Sequence, residues 1–542
     1  MQLAMLIIIG LLSLAAAAAE AAEPPASSLP TGPELERAGA IVGDIYIEAQ
    51  NIFDLSDPRE NKALYRAANA IHIKTQERVI RQQLLFRSGD RYSERLLQET
   101  ERILRSARYL YDASVRPIAW RDGRVDIAVT TRDVWTLNPG ISFGRRGGAN
   151  SYGFEIEERN LLGTGTALSL SHKSSVDRDT NEIEYQDPHI AGTWVSLRAR
   201  YANNSDGSAH GFALDRPFYA LDTRWAAGVA AGEDERIDSL YDRGKIVDAF
   251  RMQQRGAGAS WGWSGGLQNG WARRWRVGWI FDDRQFEAAP GWSGALVPEN
   301  RKLVYPWISY EMVQDDYGKY INHDQIGRTE DFHLGTRWSA LLGWSDTAFG
   351  ADRKALIFGT AVARGMAPSN KTTLLLSGSF GGRLESGGLE NALFDASARY
   401  YVQQSSRRLF FASVQATIGS NLDLDQQVLL GGDNGLRGYP LRYQGGTARA
   451  LATVEQRYFT NWYPFRLFRI GGAAFIDVGR TWGDTPVNTP SLGLLKDIGV
   501  GLRLASTRSG LGNVIHVDLA IPLDGDPAID KVQLVIETKA RF

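Results

Sequence analysis

The feature that most constrains this chain is a run of short alternating segments that extends from about Thr136 to Phe542. Stretches such as Ala167–Ser171 place polar and apolar side chains on opposite faces of an extended strand, and turns rich in Gly, Asn and Asp separate them. A soluble β-sandwich of this length would need a large apolar core, and a mean hydropathy of −0.27 offers no such excess. A membrane barrel reverses the requirement, because lipid contacts the apolar face while the polar face lines a lumen. The run therefore predicts a mainly β chain whose residues 136–542 form a transmembrane antiparallel β-barrel.

The expected number of strands follows from the length of that run. At roughly 25 residues for each strand with its loop, we expect about 16 strands, with about 14 to 18 admissible. The 15 Trp and 20 Tyr of the chain fit the aromatic girdles of such barrels. The last strand ends on Phe542. A terminal aromatic residue is typical of bacterial outer-membrane barrels, in which it acts as the assembly signal.

The only continuously apolar stretch is at the start of the chain. Met1–Ala19 ends in a run of alanines and is followed by Glu20 and two prolines, which is the pattern of a secretory signal peptide. A retained anchor helix is the alternative, although the stretch is short for a bilayer. We therefore expect a signal peptide at 1–19 and a Pro/Ser-rich linker at 20–39. No later stretch reaches about 18 apolar residues, which argues against a helical transmembrane bundle.

Residues 40–135 show a mixed pattern that predicts a small αβ domain. The predicted elements are a strand, two helices and two strands: Ile41–Ile47, Gln76–Leu85, a helix from the N-cap Ser93 to about Leu110, Asp112–Ile118 and Arg124–Thr131. Such a domain would place a pair of helices on one face of a small sheet and leave an edge strand open.

Composition and motif spacing disfavour several classes of function. The absence of cysteine excludes disulfides, thiolate metal sites and cysteine nucleophiles, and the net charge of −1 argues against a general nucleic-acid binder. Three Gly-x-Ser-x-Gly matches, around Ser142, Ser260 and Ser264, precede no helical pattern, and the seven histidines lack metal-ligand spacing. Asn421–Asp425 could bind a divalent ion, but a solvated strand end is the more ordinary interpretation. We expect no enzyme activity, no metal, no cofactor and no nucleic-acid partner.

One loop-like segment carries more specific information. It is Leu429–Tyr439, and the residues that stand out within it are Gly431, Gly432, Arg437, Gly438 and Tyr439.

Two strand-like segments that follow this loop each contain an acidic residue. The first contains Glu455, and the second reads Phe475-Ile-Asp477-Val-Gly479. Alternation places Phe475, Asp477 and Gly479 on one face and the intervening apolar residues on the other. Asp477 therefore faces the lumen if the apolar face contacts lipid.

Together these segments resemble the Arg-Gly-Phe/Tyr loop motif of the BamA/TamA-like outer-membrane assembly superfamily, including its usual Gly-Gly. The resemblance implies that the loop folds into the lumen and that Arg437 pairs with Glu455 and Asp477, because a planar guanidinium can bridge two carboxylates. It also implies that Gly438 allows a tight turn and that Tyr439 packs against the inner wall. Residues 40–135, which include Gly89–Tyr92, then resemble a single POTRA domain, the periplasmic module of this family.

The resemblance implies an outer-membrane location, with the N-terminal domain in the periplasm. The implied function is insertion or export of client polypeptides. Its expected partners are outer-membrane lipid and lipopolysaccharide, unfolded clients at the POTRA edge strand, and periplasmic or lipoprotein subunits.

Two alternatives remain open at this stage. One is a two-partner-secretion transporter for a single exoprotein; that branch usually has two POTRA modules and a plug helix, and there is little room for a helix between Pro24 and Ala40. The other is a passive porin or structural barrel.

Overall fold

A computed structural model describes residues 29–487, 489–509, 514–527 and 529–539. The signal peptide expected at 1–19 and the terminal Phe542 lie outside the described residues. Within the described part of the chain, no helix is both long and apolar enough to cross a membrane.

The described chain begins with a small αβ module. Its elements are α1 Gly32–Arg37, β1 Ile41–Gln50, α2 Ala63–Ile71, α3 Glu77–Arg81, α4 Glu94–Ser106, β2 Leu110–Arg121 and β3 Arg124–Asp133. The sheet has the order β1-β3-β2, with β1 parallel and β2 antiparallel to β3.

The module contains the expected order of strand, two helices and two strands, and it also contains two helices that the sequence did not predict. One is α2, and the other is α1, which lies in the segment between Pro24 and Ala40 where little room for a helix was expected. Leu35 of α1 is buried in the core of the module, between the sheet and the helices, so α1 packs onto the module.

The remaining strands, in chain order, are β4 Leu137–Arg146, β5 Ala149–Glu158, β6 Ala167–Ser174, β7 Asp179–Asp187, β8 Ser196–Asn204, β9 Gly207–Arg216, β10 Trp225–Asp242, β11 Lys245–Gln268, β12 Trp271–Ala288, β13 Arg301–Gln314, β14 Tyr317–Ile321, β15 Thr329–His333, β16 Thr336–Ser345, β17 Ala355–Ser369, β18 Thr372–Glu385, β19 Gly388–Ser405, β20 Arg408–Ser420, β21 Val428–Leu430, β22 Gln444–Gly446, β23 Ala448–Phe459, β24 Phe468–Trp482, β25 Leu495–Ser506, β26 Val514–Pro522 and β27 Gln533–Lys539. Among the described residues, 20 of these strands form one closed antiparallel barrel, and β14–β15 and β21–β22 form two separate hairpin pairs.

The expectation of about 16 strands is wrong, because the strands and turns are shorter than assumed. Strands β4 to β9 contain only eight to ten residues each. Several hairpins turn over two residues, as between β4 and β5. The barrel closes where β27 pairs with β4, through Ile536 and Arg145.

The two faces of the barrel strands have opposite chemistry, as the alternation predicted. On β25, Ile498, Val500 and Leu502 point outward and are 39%, 59% and 44% exposed, whereas the inward-facing Asp497 and Arg503 are 0% exposed. An apolar outer surface around a polar, charged interior is the arrangement of a barrel surrounded by lipid.

Two segments fold into the barrel from opposite ends. We call the end that contacts the αβ module the module end, and the opposite end the far end. At the module end, the β14–β15 hairpin buries Ile326 against inward-facing side chains that include Tyr401 and Phe459. At the far end, the connection between β20 and β23, which contains β21 and β22, carries the loop around Arg437 into the lumen.

Candidate functional site in the barrel lumen

The base of the far-end loop is closed by backbone contacts that only glycine permits. A Cβ atom on Gly431 would lie 2.5 Å from the carbonyl oxygen of Pro440, and one on Gly432 would lie 2.3 Å from that of Tyr439. Asn434 stabilises the same turn, because its side chain accepts from the Gly431 amide and donates to the Leu429 carbonyl, both at 2.7 Å. The Gly-Gly pair therefore allows the two arms of the loop to approach each other.

The loop carries Arg437 to the acidic residues expected from the sequence. Its Nε and Nη2 donate to the two carboxylate oxygens of Asp477 at 2.7 and 3.0 Å, and its Nη1 donates to Glu455 at 2.9 Å. All three side chains are almost fully buried. We call Arg437, Glu455 and Asp477 the lumen lock.

Phe475, in the strand motif of Asp477, forms the floor of the lock. Its ring centroid lies 3.3 Å from the guanidinium carbon of Arg437. A cation on an aromatic face is attracted by the ring quadrupole, and more strongly when water is excluded. Gly479, two residues beyond Asp477 on the same face, leaves room for the loop, since a Cβ there would lie 2.9 Å from a methyl carbon of Leu430.

Gly438 has a different role from the expected one. Its φ angle is not in the left-handed region, so a tight turn does not explain the need for glycine. A Cβ atom at this position would instead lie 2.7 Å from Cβ of Asp497 and 3.0 Å from the amide nitrogen of Pro522. Its amide donates to Asp497 at 3.0 Å. Gly438 is thus the point at which the loop backbone touches the barrel wall.

Tyr439 packs against the inner wall, as the resemblance implied. It is fully buried in an apolar cluster that includes Leu436 and Leu495. Its hydroxyl donates to the Lys496 carbonyl at 2.8 Å and accepts from the Lys496 amide at 3.1 Å. The loop is therefore held by a buried phenol next to its buried arginine.

Three charged residues around the lock were not identified from the sequence. Asp518 of β26 accepts from Arg437 at 3.4 Å and pairs with the fully buried Arg503 of β25. Arg457 of β23 pairs with Glu455 at 2.9 Å. Each lies on the inward face of an alternating strand, so the same parity argument that selected Asp477 would have found them.

Arg457 connects the lock to the module-end hairpin. Its Nη1 donates to the carbonyl oxygen of His323 at 2.8 Å, and its guanidinium carbon lies 3.9 Å from the ring centroid of Phe411. His323 belongs to the connection between β14 and β15. The side chain of Glu330 folds this connection by accepting from the amides of residues 323, 324 and 325 at 2.9, 2.8 and 3.2 Å. Burial raises the pKa of Glu330 to about 7.

The same hairpin is fixed to the αβ module. Arg105 of α4 donates to both oxygens of Asp331 at 2.6 and 2.7 Å, and Tyr111 donates to the Gly327 carbonyl at 2.9 Å. Lys319 pairs with Glu101. Contacts therefore run continuously from the far-end loop, through Arg457 and the hairpin, to α4.

The other candidate sites in the sequence take part in ordinary structural interactions. Asp423 accepts two hydrogen bonds from Arg383 at 2.8 Å, and Asp425 accepts one from Arg301 at 2.5 Å. The three serines of the Gly-x-Ser-x-Gly matches lie inside β4 and β11. Within the part of the chain that the structure describes, no group of three His, Asp or Glu side chains could hold a metal ion.

A closed antiparallel barrel with an apolar outer surface and an inward-folded loop held by a buried arginine defines the class of outer-membrane β-barrels. Residues 363–539, which include the whole lumen lock, match the Omp85 superfamily domain. This match confirms, over that segment, the resemblance to the BamA/TamA-like outer-membrane superfamily.

Solved structures that align with this chain have low sequence identity to it. BamA from Haemophilus ducreyi lacking POTRA domains 1–3 is 13% identical with a TM-score of 0.38, and the alignment covers 91% of this chain and 84% of that one. CdiB from Acinetobacter baumannii is 12% identical with a TM-score of 0.47, covering 92% and 73%. CdiB from Escherichia coli is 12% identical with a TM-score of 0.49, covering 93% and 77%. No curated protein matches the chain.

Proposed function

We propose that this protein is an outer-membrane factor that inserts or exports client polypeptides, with its αβ module acting as a single POTRA domain in the periplasm. The observation that carries this proposal is the lumen lock, in which a loop arginine joins two strand carboxylates inside an Omp85 superfamily domain. No step of insertion or export makes or breaks a covalent bond or uses a nucleotide, so the free energy of client folding drives the process.

Client recognition is proposed at the edge strand β2 of the module. An extended peptide can add to an exposed sheet edge through main-chain hydrogen bonds. Near the barrel this edge is occupied by side chains of α4, because the Val115 amide donates to Glu101 at 3.0 Å and the Ala113 carbonyl accepts from Arg105 at 3.1 Å. Towards the other end of β2, Ile118 and Trp120 are exposed. A client strand would start pairing near Ile118 and Trp120 and reach Ala113 only after Glu101 and Arg105 release the backbone.

Client exit is proposed at the seam between β27 and β4. Among the described residues a single register pair, Ile536 with Arg145, joins these strands. The neighbouring ladders are longer, with seven residue pairs between β26 and β27 and ten between β4 and β5. Unpaired backbone groups are costly in lipid, so the shortest ladder is where the barrel opens most easily.

The lumen lock would hold the barrel wall together while the seam opens. Glu455, Asp477 and Asp518 lie on β23, β24 and β26, and Arg437 contacts all three. An opening at β27 therefore leaves a wall that is still braced from inside. A passive pore is less well supported, because the far-end loop and the module-end hairpin both occupy the lumen.

The decisive experiment is deletion of the gene followed by quantitative outer-membrane and secreted proteomics. Loss of several barrel proteins supports insertion, and loss of one secreted protein supports dedicated export. An unchanged proteome together with steady conductance of the purified protein in planar bilayers would contradict both and favour a passive barrel.

A seam disulfide provides a test on the protein itself, since the chain has no native cysteine. The oxidised Arg145→Cys/Ile536→Cys variant should fail to restore the outer-membrane and secreted proteomes of the deletion strain. After reduction of the disulfide it should restore them. The matched control is Leu519→Cys/Leu534→Cys, which joins β26 to β27 at an outward-facing register pair and should remain active. Equal activity of both oxidised variants would rule out exit at the seam.

A further inference from the structure

The unpredicted helix α2 leaves an apolar stripe uncovered. Leu64 and Ile71 are each 70% exposed, and with the exposed Ala67 they form one face at helical spacing. The opposite face is the buried one, where the ring of Tyr65 stacks on Phe53 at a centroid distance of 4.4 Å. The helix is thus attached by one face while its other apolar face contacts no protein core.

The stripe lies at the level where the barrel enters the membrane. The Tyr65 hydroxyl donates to the Phe465 carbonyl at 2.7 Å. Phe465 and Trp462 lie on the turn between β23 and β24 and are 75% and 64% exposed. A turn between two membrane-spanning strands sits at the bilayer surface, where aromatic residues are enriched. The apolar surface of the barrel therefore continues through this turn to α2.

The segment that contains α2 also runs beneath the seam. At one end it contacts the turn between β23 and β24, and at the other end Thr75 accepts from Asn160, on the turn between β5 and β6, at 2.9 Å. In the order of the barrel, the seam between β27 and β4 lies between these two turns. The exposed stripe is therefore placed below the strands that close the barrel.

The charges beside the stripe suit a phospholipid surface. Lys62, the N-cap residue of α2, and Arg66, in its first turn, are exposed. The nearby carboxylate of Glu60 is buried and paired with Arg508 and with Arg132, so it presents little negative charge to the surface. Exposed cations on the polar side of a helix whose other side is apolar are typical of helices that lie in the membrane interface and contact anionic headgroups.

We infer that α2 is an interfacial helix that inserts Leu64, Ala67 and Ile71 into the module-side leaflet directly beneath the barrel seam. The bound partner is the lipid surface itself. The inference requires that the barrel spans a membrane, and it is independent of whether clients are inserted or exported.

Single-cysteine labelling tests this inference on the full-length protein. Leu64→Cys and Ile71→Cys would each be labelled with a nitroxide, with the protein in vesicles of phosphatidylethanolamine and phosphatidylglycerol. The depth of each label in the bilayer would be measured from its collisions with oxygen and with a water-soluble nickel chelate. Ile476→Cys, on the outward face of β24, marks a site in lipid and confirms insertion of each sample. Ile118→Cys is the matched control, because it is an exposed apolar residue at the end of β2 next to the 122–123 turn, away from the barrel.

The expected result is that both α2 labels lie about 5–10 Å below the headgroup boundary, shallower than the Ile476 label, while the Ile118 label stays in water. Replacing phosphatidylglycerol by phosphatidylcholine should move the α2 labels towards water without moving the Ile476 label. If the α2 labels behave like the Ile118 label in samples whose Ile476 label is in lipid, the inference is overturned, and the stripe is left for a protein partner.

Discussion

Arg457 donates a hydrogen bond of 2.8 Å to the carbonyl oxygen of His323, and the same guanidinium pairs with Glu455 at 2.9 Å. One buried side chain thereby contacts the module-end hairpin directly and the far-end loop indirectly, through Glu455, which also binds Arg437 of that loop. Any displacement of the module-end hairpin must break or rearrange this contact. These contacts link the αβ module mechanically to the lumen lock.

Removal of the lock arginine should destabilise the barrel. Arg437→Ala leaves buried carboxylates without their partner, so we expect a loss of about 3–5 kcal/mol in the free energy of unfolding, with reduced surface levels. Urea unfolding and heat-modifiable gel migration measure the effect. Arg255→Ala is the control, because Arg255 is 61% exposed and pairs with Glu233 at the surface, where we expect about 0–1 kcal/mol. Equal stability of the two variants would contradict a structural lock.

A methyl group at the wall contact should disturb the loop. Gly438→Ala places a Cβ within 3.0 Å of both Asp497 and the backbone of β26, neither of which can move freely, and overpacking of this kind costs about 1–3 kcal/mol. Gly387→Ala is the comparison, since its nearest neighbour would lie at 3.8 Å. Wild-type unfolding of Gly438→Ala, measured in the same urea titration, would mean that the loop backbone can retreat from the wall.

Loss of Arg457 should loosen the module-end hairpin before it affects the rest of the barrel. Arg457→Met keeps much of the apolar stem but removes the hydrogen bond to His323, so amide exchange at 317–333 should increase. Hydrogen exchange measured by mass spectrometry detects this change. Gln456→Ala, one residue away and exposed, should leave exchange in the hairpin unchanged. Exchange that rises equally in both variants would argue against the proposed coupling.

The hairpin should also respond to pH through Glu330. Its pKa in the folded protein is about 7, above the ordinary value of 4.5, so between these two pH values the folded state keeps a proton that the unfolded state has released. Stability of the hairpin therefore falls as pH rises from about 4.5 to about 7, and it levels off above pH 7, where both states have released the proton. Exchange at 323–325, corrected for the intrinsic rate, should increase over the same pH range and then reach a plateau. Glu330→Gln should remove that dependence, and a variant with the wild-type pH profile would assign the change to another group.

Much of the architecture was predictable because a strand exposes its chemistry with a period of two. The alternation in the C-terminal segments identified an outer apolar face, and the same parity placed Asp477 on the lumen side of β24. Arg437, Glu455 and Asp477 were predictable as partners from the motif, and the structure brings them together. The identity of the third acidic contact, Asp518, was not marked by any motif, although its parity is the same.

What the sequence by itself determined is a two-faced β chain with a loop arginine and two inward carboxylates, because these depend on local alternation and on residue type. Only the tertiary structure decided that 20 of the described strands close the barrel. Closure depends on the length of each strand and turn, and the alternation in the sequence is too weak to mark where each strand begins and ends. The tertiary structure also decided the role of Gly438, the bridge from Arg457 to His323, and the position of α2 beneath the seam. Each of these depends on which distant segments meet, and contacts between residues far apart in the chain leave no periodic signal in a single sequence.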